Sequence, residues 1–189
     1  MTTALPDSCA VAFKEWAGVC DALASGRQAI ILRKGGIEEG PRGFVPEHPA
    51  FWLYPTFVHE AEQGLKVAST TPRPADPDVV PIGALVMVES VDRVDDLDRL
   101  LGLGPFHVWT EETVRKRFEY RKPGLWVLGV RAYRRDEPWR VEVTPAQLGC
   151  KSWVPLERPL ATSGLIPARS DIEAAEDRRS LAAALGRPS

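Results

Sequence analysis

An α+β fold is what this sequence predicts: one curved, mainly antiparallel sheet with flanking helices and a peripheral C-terminal helix. Three observations carry it. The apolar segments are short runs of strand length, such as Ala29-Ile-Ile-Leu32 and Ile82 to Val88, divided by glycine and proline. The helical segments are equally short and begin at caps, Thr110 and Ser170. Seventeen prolines in 189 residues predict many short elements and turns. With 44% hydrophobic residues the chain can bury a core, and its length suits one domain. We place that domain at residues 8–158, followed by an extension, 159–189, that carries a helix.

In chain order, Asp7 or Ser8 caps a first helix. Phe13, Trp16, Ala17, Cys20 and Leu23 form its apolar stripe, and Ser25-Gly26 stops it. Gln28 to Arg33 is a buried strand, and Phe51 to Tyr54 is an aromatic one ending at Pro55. Thr56 starts a short helix through Glu62 that Gly64 ends. Four prolines within residues 69–81 form a loop or a domain linker. Ile82 to Val94 is the strongest strand. Asp95 caps a helix over Leu97, Leu100 and Leu101. Thr110 caps another, with Glu111 and Glu112 at its start and Arg115, Lys116 and Arg117 at its end, the order that the helix dipole favours. Leu125–Tyr133 and Trp139–Val143 pair as a hairpin around Asp136-Glu-Pro138. Pro145 opens a single helical turn, and Gly149 to Val154 is a closing strand. Ser170 and Glu173 form a capping box for a last helix to Leu185, whose balanced charges read as a solvated appendage.

Charge and composition narrow the function classes. Lys and Arg number 24 against 26 acids, so the net charge of -2 excludes a polybasic nucleic-acid coater. The start of the chain has no basic segment followed by an apolar one, and no apolar run reaches membrane-spanning length. The three cysteines suit a reducing compartment. These features lead us to expect a cytoplasmic protein with no membrane partner. His48, His59 and His107 are the only histidines, and no CxxC, HxH or HExxH spacing occurs, so no metal and no cofactor is expected. Cys20, on the apolar stripe, reads as core rather than nucleophile. There is no GxSxG elbow and no phosphate-binding glycine motif.

The basic residues point further. From Arg115 to Arg140 there are nine Lys or Arg against three acids, interleaved with Phe118, Tyr120, Trp126, Tyr133 and Trp139. Cations track phosphates and flat rings stack on bases, so this mixture suits a nucleic-acid groove; the alternative is an ordinary basic face. The candidate ligand-binding residues are Arg33, Lys34, Tyr54, His59, His107, Trp109, Thr110, Arg117, Arg121 and Lys151. Most of them stand where short strands end beside glycine or proline turns.

The strings Ala12-Phe-Lys-Glu-Trp-Ala17, Ile31-Leu-Arg-Lys-Gly-Gly-Ile37, Glu47-His48, Phe51-Trp-Leu-Tyr-Pro-Thr56 with His59, and Gly149-Cys-Lys-Ser-Trp-Val154 occur in order. Together they make the chain, from Ala12 to Leu156, resemble a bacterial family, domain of unknown function 1802. The resemblance brings no activity. It implies a restriction or defence context, since some members are fused to Mrr-type endonuclease domains, and with it a nuclease partner. The order of elements is also similar to the PUA superfamily with its ASCH and EVE relatives, which implies a PUA-like β-barrel and, in several members, the reading of RNA or modified bases.

The expected function is therefore a nucleic-acid or modified-base binding module. Two alternatives stay open. One is an enzyme on a small anionic or nucleotide-like substrate, with His59 or His107 as acid/base and Arg33 and Lys34 as anion clamp. The other is a structural subunit whose tail helix docks a partner.

Overall fold

A computed structural model describes residues 4–34, 46–57, 64–149 and 151–187. The strands are β1 (Ser8–Trp16), β2 (Ile30–Arg33), β3 (Ala50–Thr56), β4 (Val79–Val94), β5 (Leu125–Glu142), β6 (Trp153–Ala161) and β7 (Ile166–Pro167). The helices are α1 (Ala17–Ala24), α2 (Leu97–Gly102), α3 (Glu111–Glu119) and α4 (Asp171–Ala184), with single 3-10 turns at Gly104–Phe106 and Pro145–Gln147. None of the described helices is long and apolar enough to cross a membrane.

All seven strands join one sheet in the order β2-β5-β4-β3-β1-β6, with β7 added on β5. Every pairing is antiparallel except β1 with β3. Successive strand residues face opposite sides, and both sides are apolar. On the inner side lie Phe13, Ile31, Phe51, Leu53, Val86 and Leu128, packed with Val19 and Leu23 of α1 and Val114 and Phe118 of α3. On the outer side lie Ala12, Trp52, Tyr54, Leu85, Tyr133 and Val154. The sheet curls around the inner cluster until its edges meet at one end. There Arg33, ending β2, donates from Nε to the Ser152 hydroxyl beside β6 at 3.2 Å. This is the curved α+β sheet the sequence predicts.

Three expectations need correction, the smallest being that α2 is capped by Asp96, whose side chain accepts from the Arg99 N–H, and not by Asp95. The first helix begins only at Ala17; residues 8–16 are strand. Phe13 and Trp16 do continue the stripe of Cys20 and Leu23, but β1 is paired on both flanks, by β3 and β6, and that ladder outweighs a local helical period. The expected hairpin at Asp136-Glu-Pro138 is instead a bulge within one strand. Ile82 pairs with Trp139 but Ala84 with Arg134, so the turn residues between loop out while both halves of β5 stay on β4. Pro138, with no N–H to offer the ladder, packs against Gly83, where a Cβ would stand 3.2 Å from its ring.

The helix expected from Thr56 to Glu62 starts inside β3, and residues 58–63 lie outside the described set. The proline-rich segment is a loop between the paired strands β3 and β4. One carboxylate on α1, Asp21, holds it: it accepts from the Ser69 hydroxyl at 2.8 Å and the backbone N–H groups of Thr70 and Thr71 at 2.7 and 2.9 Å. Burial opposes its ionisation, but these bonds outweigh burial and hold its pKa below the usual value. The capping box of Ser170 and Glu173 starts α4, which buries Ala174 and Leu181, with Leu185 following it. The helix is peripheral to the sheet yet part of the core, so its polar surface understates its packing.

Candidate nucleic-acid interface

The mouth of the curl is built by strand ends. Alternation along β1 that places Phe13 inward also turns Glu15 inward, and its side chain is 3% exposed. Glu15 Oε1 accepts from the Trp16 N–H at 2.8 Å. Its Oε2 has no hydrogen-bond partner among the described residues; the Arg33 guanidinium stands 3.7 Å away. Arg33 also lies over the Phe13 ring at 4.7 Å. From α3, with Val114 and Phe118 in the core, Arg117 reaches over two rings, Trp16 at 4.7 Å and Trp109 at 5.1 Å. These indoles are 5.6 Å apart. Trp153 closes the wall, 4.7 Å from Phe13 and edge-on to His48 at 4.8 Å.

The electrostatics are mixed by design of the sheet ends. Burial lowers the pKa of Arg117, the Glu15 carboxylate raises it, and Arg33 lowers it again, with a net decrease. The Arg117 guanidinium nevertheless stays charged at neutral pH. Two cations thus share one buried carboxylate under aromatic cover.

Of the residues expected to form a site, the structure gathers Arg33, Trp109 and Arg117. Lys151, exposed, adjoins Ser152 in the chain. Trp109 is 2% exposed, so its ring supports Arg117 rather than offering a free stacking face. Lys34 is committed elsewhere: its ammonium donates to the carbonyls of Phe118 at 2.7 Å, Gly124 at 3.0 Å and Lys122, closing the C-terminal end of α3. Tyr54 belongs to the outer cluster, on the other side of the sheet, with Lys14 over its ring. Thr110 is the N-cap of α3 and accepts from the Thr113 N–H. Arg121 is exposed, with a φ of 62°, and lies over Tyr120. His59 lies outside the described residues. Glu15, Trp16 and Ser152 lie outside the candidate set; a carboxylate alternating with Phe13 on a strand face is the signal that exposes the first. The basic run is also divided: Arg131 pairs with Asp171, Arg134 with Asp136, and Arg135 stacks on Trp139.

His107 is buried, and its Nδ1 accepts from the Trp109 N–H at 3.1 Å. Its Nε2 therefore carries the proton and has no partner among the described residues. Burial and then the Lys66 ammonium push its pKa down to about 4 from 6.5. The unfolded chain consequently binds more protons than the folded one between these values. His107 then contributes stability that is present above pH 6.5 and lost as the pH falls towards 4, on the order of 3 kcal/mol in all. Urea midpoints measured against pH should show this decline, and His107→Gln should flatten it; an unchanged slope in the variant would assign the acid sensitivity elsewhere.

Among the described residues no three His, Cys, Asp or Glu side chains gather as metal ligands. Cys20 is buried, and burial followed by the charges of Glu15 and Asp21 raises its pKa well above normal, which suits core packing rather than nucleophilic attack.

Residues 12–180 match the family described as "Domain of unknown function (DUF1802)". No curated protein matches the chain. Crystal structures of the ASCH protein of Zymomonas mobilis are among the solved structures that this chain is similar to. One mutant form is 16% identical over 94% of this chain and 99% of its own, with a TM-score of 0.45. A second mutant is 14% identical over 90% and 96%, at 0.47, and the unmutated protein 15% over 90% and 94%, at 0.43.

Proposed function

We propose that this chain, which belongs to the DUF1802 family, is a non-catalytic module that binds single-stranded nucleic acid, with modified bases among its ligands, at the mouth of its curled sheet. One observation carries this reading. Arg117 is held by two indole rings and makes no hydrogen bond among the described residues, so its N–H fork is left to an outside acceptor beside a second guanidinium, Arg33. A ring-supported guanidinium of this kind suits phosphate and base oxygens. In the restriction or defence setting that the family resemblance implies, such a reader would supply recognition and a separate nuclease partner the cut. The acid/base alternative is less well supported: Lys34 is occupied by three carbonyls, and His107 is neutral near pH 7. The docking alternative loses the leucines of the tail, which face the sheet.

The test is fluorescence anisotropy with RNA and DNA oligonucleotides, plain and base-modified, across a salt series. Arg117→Ala should weaken binding for all sequences and reduce the slope of log K against log salt by ~1. Equal affinity and equal slope for the variant, with its fold verified by circular dichroism, would overturn the assignment.

A further inference from the structure

We infer that Glu15 makes this mouth a reader of a nucleobase edge rather than a phosphate clamp: its free carboxylate oxygen accepts an N–H from the hydrogen-bonding edge of one base. The inference rests on the binding reading above and deepens it. A carboxylate repels a phosphate, and the ion pair with Arg33 accounts for its charge but not for an oxygen left unbonded. Yet Glu15 lies almost wholly inside the mouth, with Oε1 satisfied by the Trp16 N–H and Oε2 unbonded among the described residues. The nearest cation, Arg33, stands 3.7 Å away, beyond hydrogen-bond reach, and donates instead to Ser152. A buried carboxylate oxygen to which no group donates is complementary to a donor.

Arg117 supplies the opposite polarity nearby, a donor fork with no acceptor among the described residues. The ligand chemistry that meets both is a flat group with an N–H donor beside a carbonyl or ring-nitrogen acceptor. That is the Watson–Crick edge of an unpaired base, presented when the base is turned out of its strand. The half-buried Trp16 ring, next to Glu15 in the chain, is the apolar surface that such a group would meet. The same geometry implies discrimination. A methyl group on the donated N–H removes the bond and leaves the carboxylate unpaired, a loss that binding sites built on hydrogen bonds amplify.

The experiment compares homopolymeric RNA oligonucleotides of the four bases, then the best-bound one with its counterpart methylated at the Watson–Crick N–H. Native protein should prefer one base and bind the methylated oligonucleotide at least ~10-fold more weakly. Glu15→Met should lose both the base preference and the methyl sensitivity while keeping the salt slope, because the phosphate contacts remain. Native protein that binds all four bases alike, or ignores the methyl group, overturns the inference and leaves the binding module standing. Absence of binding to every oligonucleotide removes the module reading itself. Should Glu15→Met fail to fold, the methylated probe on the native chain still decides the matter.

Discussion

Ending the chain at Thr162 is expected to abolish cooperative unfolding near physiological temperature. The removed segment looks expendable by composition, since α4 is rich in alanine and its charges balance. Its contacts argue otherwise. Leu181 and Leu185 are each 6% exposed and belong to the inner cluster. Leu181 approaches β5 at Gly129 so closely that a Cβ there would stand 2.9 Å from its methyl group. A glycine on the strand and a leucine on the helix therefore share one volume. Truncating a buried leucine costs ~2–5 kcal/mol, so the loss of two is comparable with the ~5–15 kcal/mol that holds a typical domain together. The pairing of β7 with Tyr133 and Arg134 goes as well. The ion pairs of the tail, Arg178 with Glu89 at 2.8 Å, Arg131 with Asp171 and Arg187 with Asp92, are partly exposed and contribute little by comparison. Scanning calorimetry with near-ultraviolet circular dichroism checks this: the truncated chain should show a broad, low transition and weakened aromatic signal. A sharp transition at the native temperature would mean that α4 is held by its charges alone.

The parts of this fold that could be read in advance are those fixed by local chemistry. The capping pairs at Thr110 and Ser170 place α3 and α4, and continuous apolar runs place β2 and β4. Where two local signals compete, the outcome rests on distant partners. Residues 8–16 carry a helical stripe and a strand alternation at once, and only the flanking β3 and β6 decide between them. The turn residues at Asp136-Glu-Pro138 would close a hairpin in isolation, but β4 is long enough to pair with both halves of β5. The meeting of β2 and β6 has no local signal at all, because it depends on the curl of the whole sheet.

The site divides in the same way. Arg33 and Arg117 are visible from the sequence as cations at element ends; the structure sets Arg33 3.7 Å from the buried carboxylate and Arg117 over the Trp16 ring next to it in the chain. Glu15 is hidden by the helical reading of its segment, which hides its alternation with Phe13. Lys34 shows the converse. A cation beside a glycine pair suggests an anion clamp, but three carbonyl partners more than eighty residues away engage its ammonium.

The second large effect concerns the ion pair at the mouth. Arg33→Met should destabilise the fold by ~3–5 kcal/mol, because it strands the Glu15 carboxylate in a buried position with only the Trp16 N–H to satisfy it. It also removes the guanidinium that bonds to Ser152 and joins the two sheet edges. Glu15→Met should cost less, since Arg33 keeps its Ser152 bonds and its place over Phe13. The double variant replaces the pair with apolar groups of similar volume, so it should be more stable than the sum of the single losses predicts, by ~0.5–3 kcal/mol. Urea unfolding of the four proteins measures this coupling directly. Strict additivity would show that Arg33 and Glu15 do not sense each other across 3.7 Å, and the carboxylate would then owe its place in the mouth to something other than the cation beside it.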